Sequence, residues 1–351
     1  MNLDEFSRFS EFDTKGMITH INALPEQLEQ AWELGLGLPL PAIDPVRQVL
    51  VAGVGEAAIG ADLLAAYAEP VGKVPVVVHR DHNLPSWAGG KETLVIALSH
   101  SGNTEESLSI LEQSVRAGCR VVVITMESKL SAAAQKVATP VWKYLPGDRS
   151  RLRVGTFFGL LLALFCRLRF IPNPLEELKS ALAAMRTQSP DLMAEVAVVK
   201  NPAKRMAGQI VGRSVTIIGS GILAPVARCW KGRVNRIAKS WAQFEFLPEA
   251  AYATLEGIEN PAKALGGKTI LFLRAPSDHP RNRLRGELIQ REFMMAGLGT
   301  DFYVAKGDSR LAHLSTALHF GDYVAYYLAM AYGVDPSEFH AVEGLEETHD
   351  G

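Results

Sequence analysis

Ser99, Ser101 and Thr104 lie in Val95-Ile96-Ala97-Leu98-Ser99-His100-Ser101-Gly102-Asn103-Thr104-Glu105-Glu106, an apolar run that passes through three hydroxyls and a glycine into a helical pattern. Such hydroxyls, together with the N–H groups and partial positive charge of a helix N-terminus, make an uncharged cradle for a phosphate. The alternative use is an ordinary Ser/Thr helix cap, but a cap requires one hydroxyl rather than three. Two further turns have the spacing G-x-G-x-x-A: Gly53, Gly55 and Ala58, then Gly219, Gly221 and Ala224. That spacing lets a ligand approach a helix N-terminus, and it suits a dinucleotide, a sugar phosphate or a carboxylate alike. Asp81 lies near the place of a ribose-binding acid, but Arg80-Asp81-His82-Asn83-Leu84-Pro85 reads as a loop. An NAD(P)-binding oxidoreductase is therefore only a third reading.

The elements that must position these turns are short β-rich runs alternating with helical stretches. Val49–Ala52, Val74–Val78, Leu94–Leu98, Arg120–Thr125 and Val141–Tyr144 are strand candidates in the first half, and Val215–Ile218, Thr269–Arg274 and Thr300–Val304 in the second. Alternation of this kind predicts parallel sheets flanked by helices. Both halves open with a strand, a Gly-x-Gly turn and a helix, so two related α/β lobes are expected. The boundaries read as an N-terminal helical arm over 1–44, a first lobe over 45–172, a helical connection over 173–210 and a second lobe over 211–351. One helix is expected over Met17–Gly35, further helices over Leu175–Met185, Leu192–Ile210 and Leu311–Tyr332, and a C-terminal helix over Ser337–Glu347.

The chain has 351 residues, and its 36 Lys+Arg against 38 Asp+Glu give a net charge of -2. No excess of positive charge is present to follow a phosphate backbone, which excludes nucleic acid as the principal partner. The longest apolar run, Val154–Cys166, is shorter than the roughly 20 residues a membrane span needs, so no membrane partner is expected. With no basic-then-apolar leader, and with Cys119, Cys166 and Cys229 dispersed and odd in number, a cytoplasmic protein with reduced thiols is expected. No C-x-x-C, H-E-x-x-H or P-loop occurs, and neither a metal nor a cofactor is called for. His313 and His319 read as interior histidines of an apolar helix, and Arg274, Asp278, His279 and Arg281 as a solvated loop.

Ser-x-Ser-Gly-Asn-Thr-Glu-Glu after an apolar strand resembles the sugar isomerase (SIS) domain. More narrowly, the chain resembles the bifunctional phosphoglucose/phosphomannose isomerases. Further similar segments are Gly53-Val54-Gly55, Arg80-Asp81 with Leu84-Pro85, Pro146-Gly147 with Arg151, Gly219-Ser220-Gly221, Trp230-Lys231, Asn235, Ala238-Lys239, Leu247-Pro248-Glu249 and Gly333-Val334-Asp335-Pro336. The resemblance implies two three-layer SIS lobes and metal-free interconversion of glucose or mannose 6-phosphate with fructose 6-phosphate. It also implies a site between the lobes, close to a homodimer interface. On this pattern Ser99, Ser101, Thr104 and Gly55 hold the phosphate, and Arg151 is the cation that stabilises the enediolate.

The match departs from the pattern where the proton is moved. The family's catalytic Glu falls on Arg236, whose guanidinium, with a pKa above about 12, cannot act as a carboxylate base. The ring-opening His, contributed by the neighbouring subunit, falls on Tyr252, a phenol whose ordinary pKa is about 10. The family's Gly-Gly-Ser becomes Gly55-Glu56-Ala57, and its C-terminal Lys falls near Glu346. One arrangement that keeps turnover makes Glu56 the carboxylate with Arg236 as its partner. The expected function is thus a hexose-6-phosphate-binding SIS protein of the isomerase type. A catalytically degenerate sugar-phosphate sensor or binding protein, a pseudoenzyme, is the alternative.

Overall fold

The expected first helix is broken. Pro25 has no N–H to donate back one turn, so the helix over Met17–Gly35 divides into α1 (Met17–Asn22) and α2 (Leu24–Gly37). The computed structural model describes residues 2–40, 45–144 and 152–338. The chain forms two compact units, one of residues 24–176 and one of residues 1–23 with 177–351, so the N-terminal segment contributes to both.

In the unit of residues 24–176, β1 (Gln48–Ala52), β2 (Val76–His79), β3 (Thr93–Ser99), β4 (Arg120–Thr125) and β5 (Val141–Lys143) form one parallel sheet in the order β2-β1-β3-β4-β5. All seven residues of β3 are buried, as a central parallel strand covered on both faces requires. Leu50, Ala52, Val95, Ala97, Val121 and Val123 fill one face beneath α4 (Glu105–Arg116) and α5 (Lys129–Lys136). The intervening residues point to the other side, where α3 (Gly55–Ala68) packs against α6 (Val154–Arg167) and α6 against α2. Burying each such Val, Leu or Ile stabilises the fold by about 1.5–3 kcal/mol. Gly159 brings α6 onto α2, since a Cβ there would lie 2.8 Å from the Leu28 carbonyl oxygen. Arg167 Nη1 donates to the Gly35 carbonyl at the end of α2 at 2.8 Å.

In the other unit, α7 (Leu175–Gln188) and α8 (Pro202–Ile210) precede a second parallel sheet. Its strands are β6 (Ser214–Ser220), followed by α9 (Ala224–Ile237), then β7 (Ala242–Leu247), α10 (Ala262–Leu265), β8 (Lys268–Arg274), α11 (Pro280–Met295) and β9 (Gly299–Val304), in the order β7-β6-β8-β9. Ile218, Ile270 and Phe272 pack against Ile289 and Phe293 of α11. The long α12 (Arg310–Tyr332) is buried over most of its length, from the Ser309 hydroxyl that caps its start to Gly333, at φ +67°, that ends it. Residues 2–22 dock on α12 through its tyrosines. Tyr323 Oη donates to Asn22 Oδ1 at 2.7 Å, and Tyr326 Oη donates to Asp13 Oδ2 at 3.1 Å.

The two lobes of parallel sheet between helices match the expected architecture. The expected helix over 192–210 begins only at Pro202, and β7 was not anticipated. The C-terminal helix expected over Ser337–Glu347 lies almost wholly outside the described residues. Among the described residues no helix is long and apolar enough to cross a membrane.

Candidate functional site

In a parallel sheet of order β2-β1-β3, chain connections leave β1 and β3 in opposite directions, and the gap this opens at their carboxyl ends is where ligands bind in such folds. Here that gap is edged by Gly53-Val54-Gly55 after β1 and by the 99–104 loop after β3. Gly53 is held close, since a Cβ there would lie 2.8 Å from the Leu98 carbonyl oxygen. Gly55, at φ +58°, faces open space and starts α3, and Glu56 follows, half-buried in the first helical turn.

The loop after β3 is set by its own hydrogen bonds. Ser99, 4 % exposed, accepts the Gly102 N–H on Oγ at 3.0 Å. Ser101, exposed, accepts the Asn103 N–H at 3.3 Å. Thr104 occupies the N-cap position of α4 without capping it through its side chain. Its hydroxyl donates instead to Ser107 Oγ at 2.8 Å, because the Ser107 hydroxyl donates to the Thr104 carbonyl at 2.9 Å. The tight turn needs glycine at 102, where φ is +62° and a Cβ would lie 1.9 Å from Ser128 Oγ. Asn103 Oδ1 accepts the Lys129 N–H at 3.3 Å, tying the loop to the start of α5.

Three side chains beside this loop were not singled out by sequence. His100, between the two serines, shares a 3.0 Å hydrogen bond through Nδ1 with Tyr144 Oη, just past β5. Burial holds the Tyr144 hydroxyl well above the ordinary tyrosine range, against the opposing pull of the Arg153 cation. Arg153, 6 % exposed, sits at the N-terminus of α6, where the helix dipole disfavours a cation. The signal available was the polar pair Ser99-His100 at the end of an otherwise apolar strand. A shallow depression next to Thr104 is lined by Gly53, Val54, His79, Asp81 and Glu106. Arg80, also on its lining, donates to the Ala58 carbonyl at 3.1 Å and pairs with Asp62.

The second sheet repeats the arrangement with different contents. Gly219-Ser220-Gly221 span the end of β6, and the segment expected to be a solvated loop begins at Arg274, the last residue of β8. Asp278 in that segment is instead 7 % exposed, accepting the Ser220 hydroxyl at 2.9 Å and the Ala275 N–H at 2.8 Å. Burial raises its pKa, while these two hydrogen bonds and the Arg283 and His313 side chains oppose the rise. A carboxylate in the gap repels an anion, so the second Gly-x-Gly turn is not a counterpart of the first in chemistry. His313 and His319 are interior, as expected. His313 bonds Ser277 Oγ and the Gly307 carbonyl, and His319 Nε2 donates to the Ile21 carbonyl at 2.9 Å.

Arg236 lies in the last turn of α9, where a cation meets the negative end of the helix dipole. Lys239 beside it, at φ +52°, donates to the Ile237 carbonyl at 3.3 Å and to that of Asp335. Tyr252 is 68 % exposed, with the Arg285 guanidinium carbon 5.7 Å from its ring centre. Arg151, Glu346 and Pro146-Gly147 lie outside the described residues. Among the described residues no group of three His, Cys, Asp or Glu side chains could hold a metal ion.

Twin parallel sheets, each opened by a Gly-x-Gly turn, with a hydroxyl loop at the gap of the first, define a tandem SIS protein. Residues 43–149 match the SIS domain model, and residues 199–348 match the bacterial phospho-glucose isomerase C-terminal SIS domain. The chain is 32 % identical over 332 residues to a bifunctional phosphoglucose/phosphomannose isomerase of Caldicellulosiruptor bescii, covering 94 % of this chain and 98 % of that one. It is 27 % identical to the protein of that name from Aquifex aeolicus, covering 87 % and 91 % of the two chains. The chain belongs to the bifunctional phosphoglucose/phosphomannose isomerase family. A glucose-6-phosphate isomerase-like protein from Thermus thermophilus shares the fold, with a TM-score of 0.61 and 20 % identity over 97 % of this chain and 98 % of that one.

Proposed function

We propose that the protein interconverts glucose 6-phosphate or mannose 6-phosphate with fructose 6-phosphate. The observation that carries this reading is the hydroxyl loop Ser99–Thr104 at the gap of the first sheet, in a chain matched along nearly its full length by isomerases. Ser101 and Thr104 with Gly55 hold the phosphate, while buried Ser99 shapes the loop through Gly102. Arg151 supplies the charge that stabilises the enediolate oxygen. On this reading the protein works in the cytoplasm as a homodimer, with Tyr252 presented to the partner's site.

Arg236 and Tyr252 favour a second reading, in which the chain binds hexose phosphate without turning it over. One preparation separates the two. Fructose 6-phosphate should raise the melting temperature, and its conversion to the aldose phosphates is followed in the same sample. A shift with conversion supports the isomerase, a shift without conversion selects the sensor, and no shift overturns both. The double substitution Ser101→Ala with Thr104→Ala should weaken fructose 6-phosphate binding at least tenfold, as two lost hydrogen bonds to a charged phosphate imply. Unchanged affinity would remove the cradle.

A further inference from the structure

The second sheet, of order β7-β6-β8-β9, has its own switch point, because the chain leaves β6 and β8 in opposite directions. Ligands in such folds bind at the carboxyl ends of the two strands that flank it. Asp278 is buried in this gap, and its neighbour Ser277 is exposed, with its hydroxyl on a histidine.

Two contacts fix the chemistry of that hydroxyl. His313, 4 % exposed near the start of α12, has a partner on each ring nitrogen, Ser277 Oγ 2.8 Å from Nδ1 and the Gly307 carbonyl 2.9 Å from Nε2. A carbonyl oxygen accepts and does not donate, so Nε2 carries the hydrogen. Burial lowers the His313 pKa, and Arg310 acts in the same direction, while the Gly307 hydrogen bond and the Asp278 and Asp308 carboxylates oppose the fall. The ring is therefore neutral at pH 7, and its Nδ1 has only a lone pair. The Ser277 hydroxyl donates to it.

Both partners are held in place. The Asp278 N–H donates to the Ala275 carbonyl at 3.0 Å and Asp278 Oδ2 accepts the Ala275 N–H at 2.8 Å, which closes the turn that presents Ser277. Behind the ring, Thr316 Oγ1 accepts the Lys306 N–H at 3.0 Å. Gly307 follows at φ +93°, where a Cβ would lie 2.6 Å from that of Ala312. A lone pair on a serine hydroxyl, with the opposite ring nitrogen oriented by a fixed acceptor, is the arrangement of a serine nucleophile and its base. A serine that only satisfied a buried imidazole would need no access from solvent, and Ser277 has it. The charge in the gap selects the electrophile, because the Asp278 carboxylate repels a phosphate but not an uncharged carbonyl compound.

We propose that Ser277 is a nucleophile for acyl transfer, with His313 as its general base, and that it takes the acyl group of uncharged carboxylic esters. This chemistry is separate from the hydroxyl loop of the first sheet. Ser277 Oγ attacks the ester carbonyl carbon while its proton passes to His313 Nδ1. The bond from that carbon to the ester oxygen breaks, the imidazolium protonates the departing oxygen, and the acyl group stays on Oγ. Water then attacks the acyl carbon as His313 takes its proton, the bond to Oγ breaks, and the proton returns to Oγ. The sum is ester plus water to acid plus alcohol.

p-Nitrophenyl acetate tests this on the full chain, read as nitrophenolate release and as the mass of the peptide containing residue 277. The parent should carry an acetyl group on Ser277. In Ser277→Ala that adduct should vanish and nitrophenolate release fall. His313→Gln, whose side-chain amide can still donate to Gly307, should slow acetylation of Ser277 about 100-fold or more, the low end for loss of a general base. In the parent, acetylation of Ser277 should rise with pH as the imidazolium loses its proton and then level off above about pH 6.5, which neither hydroxide attack nor a merely structural hydrogen bond produces. If His313→Gln does not fold, Ser277→Ala and the pH profile decide. An unacetylated Ser277 in the parent, acetylation within about threefold of the parent in a folded His313→Gln, or a rate that climbs without levelling overturns the assignment.

Discussion

Gly102 is the residue with the least latitude in the hydroxyl loop. Both its φ of +62° and the 1.9 Å approach of a hypothetical Cβ to Ser128 Oγ oppose any side chain. Gly102→Ala should cost at least about 1–2 kcal/mol from the backbone conformation alone, read as a lower urea midpoint, and should abolish the thermal shift by fructose 6-phosphate. A stable variant that still binds would show that the loop can rebuild. The placement of Ser99, Ser101, Thr104 and Gly55 at strand–helix junctions was legible from the apolar runs that precede them. Tyr144 was not, since it meets His100 across 44 residues of sequence. Nor was the burial of Asp278, because Ser277, Asp278 and His279 read as polar and nothing local reveals that Ser220 and the Ala275 N–H will enclose the middle one.

At the scale of elements, buried parallel strands such as β3 were legible from their continuous apolar runs, whereas β7 was hidden. Its sequence, Ala242-Gln243-Phe244-Glu245-Phe246-Leu247, has no continuous apolar run, since it is an edge strand with Gln243 and Phe246 exposed and Phe244 and Glu245 half-buried. Arg228 covers Phe244, with the guanidinium carbon 4.9 Å from the ring centre, so this half-buried aromatic is paired with charge. The start of α8 was written in Asn201-Pro202, a cap followed by a proline that needs no hydrogen-bond donor. Asn201 is fully buried. Its Oδ1 accepts the Ala203 and Lys204 N–H groups, both at 3.0 Å, and its Nδ2 donates to the Met193 carbonyl. Asn201→Ala should destabilise the chain by about 1–2 kcal/mol in denaturant unfolding, and Asn201→Asp should recover the capping part of that loss. Asp322 in α12 pairs with Arg233 of α9 at 2.6 Å, both side chains 3 % exposed. Asp322→Ala should cost about 3–5 kcal/mol, because it removes one member of a buried ion pair. A loss under about 1 kcal/mol would mean that the charge finds water or another partner.

For the molecule as a whole, acid stability is tied to His319. Burial pushes its pKa down to about 4, against the opposing hydrogen bond to the Ile21 carbonyl. In the unfolded chain a histidine titrates near about 6.5. Between those values the unfolded chain binds the additional proton, so stability falls as pH drops from about 6.5 to about 4 and levels off below, by of order 3 kcal/mol. His319→Gln, which keeps a donor for Ile21, should flatten that slope in urea unfolding across the same range; an unchanged slope would assign acid sensitivity to other groups. The Asp278 carboxylate has a consequence of another kind. An anion held in the second crevice by the backbone competes there intramolecularly with any free anion. That crevice is in effect a receptor already occupied by its own chain, and a calorimetric titration with fructose 6-phosphate should saturate at one molecule per polypeptide, although the sequence announces two Gly-x-Gly openings.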